Sequence, residues 1–193
     1  MRSLAVFCGS SAGHDPVYAR AARHVGRTLA ERGITVVYGG GRAGLMGALA
    51  DAALEVGGDV VGVIPHALHE RELTHTGVSR LHVVDSMHER KTVMADAAEA
   101  FLALPGGVGT IEEITEQWTW AQLSIHAKPC GFLDVAGYWA PMRAMTDRMV
   151  DAGFLRATQR DIVAFDDDLD RLLRRLQDPP AWEGLDAKAA PSP

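Results

Sequence analysis

The chain has 193 residues, 47% of them hydrophobic, and a net charge of −6 with acids and bases interspersed. That length suits one domain with a substantial core, and the charge excludes a broad nucleic-acid-binding surface. The only cysteines are Cys8 and Cys130. They exclude a disulfide framework or a Cys-based zinc site and, lying in apolar runs, read as buried inert thiols. A nucleophilic Cys8 is the alternative, with no base near it in sequence.

The N-terminus runs directly into Leu4–Cys8, which reads as a buried strand. It is too short for a signal peptide, and no run approaches the ~20 apolar residues of a membrane span. The expectation is a soluble cytoplasmic protein with neither membrane nor nucleic-acid partners. After the small turn Gly9–Gly13, Asp15-Pro16 opens a helix expected to reach Glu31, with Gly33 as its stop. Ile34–Tyr38 is the second strand, followed by the glycine loop Gly39–Gly44 and a helix from Leu45 to Val56. Asp59–Ile64 is the third strand, closed by Pro65; His66 to Ser79 is polar and irregular.

Arg80–Val84 reads as a fourth strand, and Asp85-Ser86 caps a helix starting near Met87. The fifth strand, Ala100–Leu104, enters Pro105-Gly-Gly-Val-Gly-Thr-Ile-Glu-Glu113 and a helix to about Ile125. Pro129–Leu133 and Asp161–Phe165 are further strands; Trp139–Ala152 and Asp167–Leu176 are helices. Strands that are continuous apolar runs, alternating with helices, indicate a parallel sheet covered on both faces. The fold expected is α/β: a single doubly wound, Rossmann-like domain over residues 1–178, with a loose tail at 179–193.

In such sheets ligands bind beyond the carboxyl ends of the strands. Loops 9–13, 39–44, 62–65 and 105–110 all fall there and are rich in Gly and Ser. Any one of them can simply turn the chain, but several at one edge favour a phosphate or nucleotide. Gly39–Gly44 fits G-x-G-x-x-G in letters, yet it follows the second strand, and no acidic residue is placed for a ribose. Neither glycine loop ends in the Gly-Lys-Ser/Thr of a P-loop.

Arg90-Lys91 sit early in their helix, where the macrodipole disfavours cations. Such pairs are usually solvated surface, but placement after the fourth strand, at the edge of the glycine loops, favours an anion-binding or catalytic role. Glu112 and Glu113 are expected in the first turn after the 105–110 loop. A bare phosphate cradle has no use for them. Being adjacent they point about 100° apart, so one of the two faces the ligand; Thr110 and Glu113 share a face. His66 with His69, and His88 beside Arg90, lack a third metal ligand, and no lysine has a Schiff-base context.

Met87-His-Glu-Arg-Lys91 together with Pro105–Glu113 resembles the paired signature of the Lonely Guy (LOG) family of cytokinin-activating phosphoribohydrolases, many once labelled lysine decarboxylases. Phe7–Ser11, Tyr38–Gly41, Gly44–Gly47, Thr119–Gln122 and Gly137-Tyr138 also match, so the resemblance spans about residues 3 to 165. It implies hydrolysis of the N-glycosidic bond of an N6-substituted adenosine 5′-monophosphate, giving the free base and ribose 5-phosphate, with no cofactor and no metal.

By that resemblance Glu113 stabilises an oxocarbenium-like state and orients water, and Arg90 is its essential partner. Lys91, Gly106, Gly107, Gly109 and Thr110 cradle the phosphate, Glu112 and Thr119 complete the pocket, and Glu72 contacts substrate. Gly9, Ser10, Gly40, Gly41, Met87 and Val108 are the remaining substrate-binding candidates. The resemblance also implies a homodimer with its interface on the helices after residues 87 and 109. Nothing in the sequence fixes the base, so a plain AMP nucleosidase stays open. So do a non-catalytic nucleotide carrier and, from the old label, a pyridoxal-dependent decarboxylase.

Overall fold

The computed structural model describes residues 1–69 and 74–181. Seven strands form one sheet: β1 (Ser3–Phe7), β2 (Thr35–Tyr38), β3 (Val60–Pro65), β4 (Arg80–Val84), β5 (Phe101–Ala103), β6 (Cys130–Leu133) and β7 (Val163–Asp166). Their spatial order is β4-β3-β2-β1-β5-β6-β7, and every pairing is parallel. Helices α1 (Pro16–Glu31), α2 (Gly44–Leu54), α3 (His66–His69), α4 (Met87–Ala97), α5 (Val108–Gln122), α6 (Ala140–Asp151), α7 (Ala157–Arg160) and α8 (Leu169–Gln177) connect them.

Both faces of the sheet are covered, which explains the absence of an in–out pattern in its strands. Leu4, Val6, Val36 and Leu102 pack with residues of α1, α2 and α8 on one face. Ala5, Phe7, Val37 and Phe101 pack with residues of α4 and α5 on the other. Edge strand β4 is the exception: Arg80, His82 and Val83 are exposed and only Val84 is buried.

The expected helix starts rest on the expected caps. Asp15 accepts the Val17 amide at 2.8 Å ahead of Pro16, and Ser86 Oγ accepts the Glu89 amide at 3.0 Å. Pro65 ends the ladder of β3 rather than closing it from outside, since it lies within the strand opposite Val84. Within the segment expected to be irregular, α3 is a single helical turn. The short α7 and the 3₁₀ turn Val135–Gly137 were not expected.

One correction bears on the site. Helix α5 begins at Val108, with Gly107 as N-cap, so Glu112 and Glu113 fall in its second turn. Val108-Gly109-Thr110 are already helical, and the first turn carries no acid. The macrodipole therefore gives these carboxylates less than expected, because its field fades within about one turn.

Chain order reverses between β1 and β5. From β1 the chain builds outward through β2, β3 and β4; β5, β6 and β7 build the other way. A crevice opens at such a switch point beyond the strand ends. Its walls here are the loops that follow β1 and β5.

Candidate active site

Two adjoining clefts occupy that crevice and share Gly9, Ser10 and Gly107. The first, about 350 Å³, is walled by Cys8, Met46, Met87, Arg90, Glu112, Glu113 and the Gly107–Thr110 start of α5. The second, about 280 Å³, is walled by the 9–13 loop, Tyr18, Leu45, Pro105, Gly106 and Tyr138. Together they give the space expected of a small-molecule site.

Arg90 is the fixed point of the first cleft. It comes from the first turns of α4 and is only 7% exposed. Its Nε donates to the Val63 carbonyl at 3.1 Å and its Nη2 to the Gly39 carbonyl at 3.2 Å. A Cβ on residue 39 would stand 2.0 Å from Nη2, so glycine is required for the guanidinium to lie where it does. Nη1 donates to Met87 Sδ at 3.7 Å and stands 3.6 Å from Glu113 Oε1, both residues of the cleft wall.

Glu113 arrives from α5 on the same face as Thr110, as their spacing predicts. Both line the first cleft, and Thr110 is buried. Glu112 also reaches the cleft, but at its rim, where it is half exposed and accepts from Lys91 Nζ at 2.5 Å. Lys91 bonds Glu116 as well, at 3.0 Å. Burial alone would lower the Lys91 pKa, but these two carboxylates outweigh it and hold the amine above its ordinary value. Lys91 thus ties α4 to α5 and does not line either cleft.

The loop itself is held close to β1. The Gly9 amide donates to the Pro105 carbonyl at 3.1 Å. A Cβ on Gly106 would stand 2.1 Å from Thr110 Oγ1 and 2.9 Å from the Gly9 nitrogen, so only glycine permits this approach. The α5 N-terminus has no side-chain cap, and its first amides have no intrahelical acceptor. Such a terminus favours an anion.

Cys8 lies in the cleft wall, yet burial, and then the negative charge of Glu113, push its thiol well above the ordinary range. A neutral buried thiol is no nucleophile. Cys130 is raised by burial alone.

The remaining candidates fall elsewhere. Gly40 and Gly41 line neither cleft: the Gly40 carbonyl accepts the His75 amide, and Gly41 bridges to Thr74. Thr119 is exposed two turns further along α5, its hydroxyl donating to the Thr115 carbonyl at 2.8 Å. Glu72 lies outside the described residues. His66 stands 3.9 Å from Asp85 and His69 bonds Thr74; no cluster with metal-holding geometry occurs among the described residues. Residues that sequence reasoning did not assign are Gly39, Met46, Leu45, Tyr18 and Tyr138. The runs Tyr38–Gly41, Gly44–Gly47 and Gly137-Tyr138 already contained four of them.

Comparison with known proteins bears on the family and the fold. Residues 46–176 match the family model described as "Possible lysine decarboxylase". The cytokinin riboside 5′-monophosphate phosphoribohydrolase LOG7 of Arabidopsis thaliana is 45% identical over 177 residues, covering 92% of this chain and 82% of the relative. LOG1 of the same plant is 45% identical, covering 92% and 83%. Among solved structures, TM1055, a structural-genomics X-ray structure, superposes with a TM-score of 0.70 at 23% identity, covering 92% of this chain and 99% of that one. The Moco carrier protein from Chlamydomonas reinhardtii superposes with a TM-score of 0.69 at 20% identity, covering 92% and 96%. These two structures share the fold. On the two LOG relatives and the family match, the chain belongs to the LOG family of cytokinin riboside 5′-monophosphate phosphoribohydrolases.

Proposed function

We propose that this chain hydrolyses the N-glycosidic bond of an N6-substituted adenosine 5′-monophosphate. Water adds to C1′, the base leaves with a proton, and ribose 5-phosphate remains. The observation that carries the reading is the buried Arg90–Glu113 pair, set beside an uncapped helix N-terminus in one cleft.

The phosphate meets the amides of Gly107, Val108 and Gly109, where the helix start favours negative charge. With the phosphate anchored, Glu113 faces the sugar. Its carboxylate stabilises the positive charge that develops at C1′ and orients the attacking water, a contribution of about 10²–10⁴-fold for such groups. Arg90 holds that carboxylate in place and, through Nη1, binds and polarises the substrate.

Decarboxylation through a pyridoxal Schiff base would need a lysine amine facing the cleft. Lys91 is engaged by Glu112 and Glu116, and Lys128 donates to the Ala95 carbonyl at 2.6 Å. Neither lines a cleft among the described residues.

The protein acts as a homodimer in the cytoplasm in this reading. Val83, Met87, Val108 and Ile111 are exposed apolar residues on β4 and the first turns of α4 and α5, available to a second copy. No described helix is long and apolar enough to cross a membrane.

The test is incubation of purified protein with AMP and with isopentenyladenosine monophosphate, with free base read by chromatography. Release of base from the substituted nucleotide ahead of AMP is the expected result. Base from AMP alone would make the protein a salvage nucleosidase, and no base from either would overturn the proposal.

A further inference from the structure

The turn after β6 reaches back over the glycine loop. Ala136 and Gly137 both have positive φ, 54° and 75°, and the reversal carries Tyr138 to the loop. The Tyr138 hydroxyl donates to the Gly106 carbonyl at 2.5 Å. Its ring packs edge-on against Tyr18 at 5.6 Å and Trp139 at 4.9 Å between centroids. Trp139 is itself buried, and its amide donates to Asp134 Oδ1 at 2.6 Å. A left-handed alanine is a strained conformation, and here it sits in the turn that delivers Tyr138.

Two successive carbonyls of the loop are thus committed within the protein. Pro105 is tied to the Gly9 amide, and Gly106 to Tyr138. In a trans peptide the N–H points opposite to the C=O it is joined to, and no described peptide bond is cis. Holding the Gly106 carbonyl therefore sets the direction of the Gly107 N–H, the N-cap amide of α5.

We infer that Tyr138 is a positioning residue for the substrate's phosphate: its hydroxyl orients the Gly106–Gly107 peptide so that the Gly107 amide meets a phosphate oxygen. The inference rests on the phosphate reading of this loop given above. The Tyr138–Gly106 bond is made wholly within the protein, so it acts by preorganisation. The phosphate does not change as the glycosidic bond breaks, so loss of that orientation weakens ground state and transition state alike. KM rises and kcat holds.

Tyr138→Phe tests this, because it keeps the ring and removes only the hydroxyl. The measurements are kcat and KM on the nucleotide that the wild type cleaves, and calorimetric Kd values for ribose 5-phosphate and for adenosine. We expect KM and the ribose 5-phosphate Kd each to rise about tenfold, with kcat and the adenosine Kd within about twofold. Equal ribose 5-phosphate affinity in wild type and variant overturns the inference and leaves the hydrolase reading standing. Equal weakening of adenosine, or a fall in kcat at constant KM, also overturns it. A wild type that cleaves no nucleoside monophosphate and binds no ribose 5-phosphate removes the functional reading, and the inference with it.

Discussion

Arg90 Nη1 stands 3.6 Å from Glu113 Oε1, and their side chains are 9% and 12% exposed. Such a pair costs desolvation that its attraction only partly offsets, so removing one partner is more damaging than replacing both. Glu113→Gln keeps the shape of the side chain while removing the charge. It is expected to fold and to lose about 10²–10⁴-fold in kcat. Arg90→Ala is expected to lose activity and about 3–5 kcal/mol of stability, because Glu113 then stays buried without its cation. Steady-state kinetics and urea unfolding separate the two outcomes. Turnover by Glu113→Gln equal to wild type would remove the carboxylate from the mechanism.

Gly39→Ala tests the seat of the guanidinium without touching a charge. The new methyl would stand 2.0 Å from Arg90 Nη2 and 3.2 Å from Met46 Sδ, so the guanidinium must move. A displacement of this size at a positioned group costs about 10²-fold in rate. The same activity in Gly39→Ala and wild type would mean that the Arg90 geometry is not needed.

Gly107→Ala and Gly109→Ala make the opposite comparison. A Cβ at either position meets nothing within 4 Å, and neither glycine has a positive φ. Gly109 lies inside α5, so alanine there should stabilise the fold by about 0.5–1 kcal/mol. Both variants should nevertheless raise KM, because the methyl takes space next to the helix amides that hold the phosphate. Unchanged KM in both would place the phosphate elsewhere.

Lys91→Met probes the tie between α4 and α5. The folded-state pKa of Lys91 is raised by Glu112 and Glu116 from an ordinary 10.5. A raised lysine contributes stability that is complete below its unfolded value and is lost as pH climbs through the folded value. The stability difference between wild type and Lys91→Met should therefore be constant from neutral pH to about pH 10 and shrink above it. Denaturant midpoints across that range give the answer, and a gap that widens with pH would contradict the assignment.

His126 shows the reverse sign. Burial first, and then the charge of Lys128, lower its pKa from 6.5 to about 4. Its Nδ1 accepts the Lys128 amide and its Nε2 pairs with Gln117 Oε1 at 3.3 Å, an arrangement that suits the neutral ring. Stability is complete above pH 6.5 and falls progressively as the pH drops toward 4, because the unfolded chain takes up the proton first. After discounting for its partial exposure, the loss is at most about 2 kcal/mol. His126→Gln should flatten that part of the stability curve.

The strands and most helix boundaries were legible because their signals are local. Apolar runs, Asp15-Pro16 and Ser86 act within a few residues of where they stand, and the structure moves most ends by two positions or fewer, though α5 stops at Gln122, three short of Ile125. Arg90 and Glu113 were legible as candidates because charges beside a glycine loop conflict with the simplest use of that loop. The start of α5 was misjudged because Val108-Gly109-Thr110 has weak intrinsic helix preference, and packing of Thr110 and Ile114 decides it instead.

The sequence by itself determined the doubly wound fold, the sheet edge that carries the site and the family to which the chain belongs. Periodicity, caps and glycine-rich turns specify these over short separations. Only the tertiary structure decided which side chains meet. Lys91 and Arg90 are neighbours in sequence, yet one braces two helices and the other turns into the cleft, because adjacent helical residues point about 100° apart. Tyr138 reaches Gly106 across 32 residues of chain, by a reversal at Ala136 that no local pattern announces. Contacts of that span depend on how strands order themselves in the sheet, and that order is a property of the assembled core.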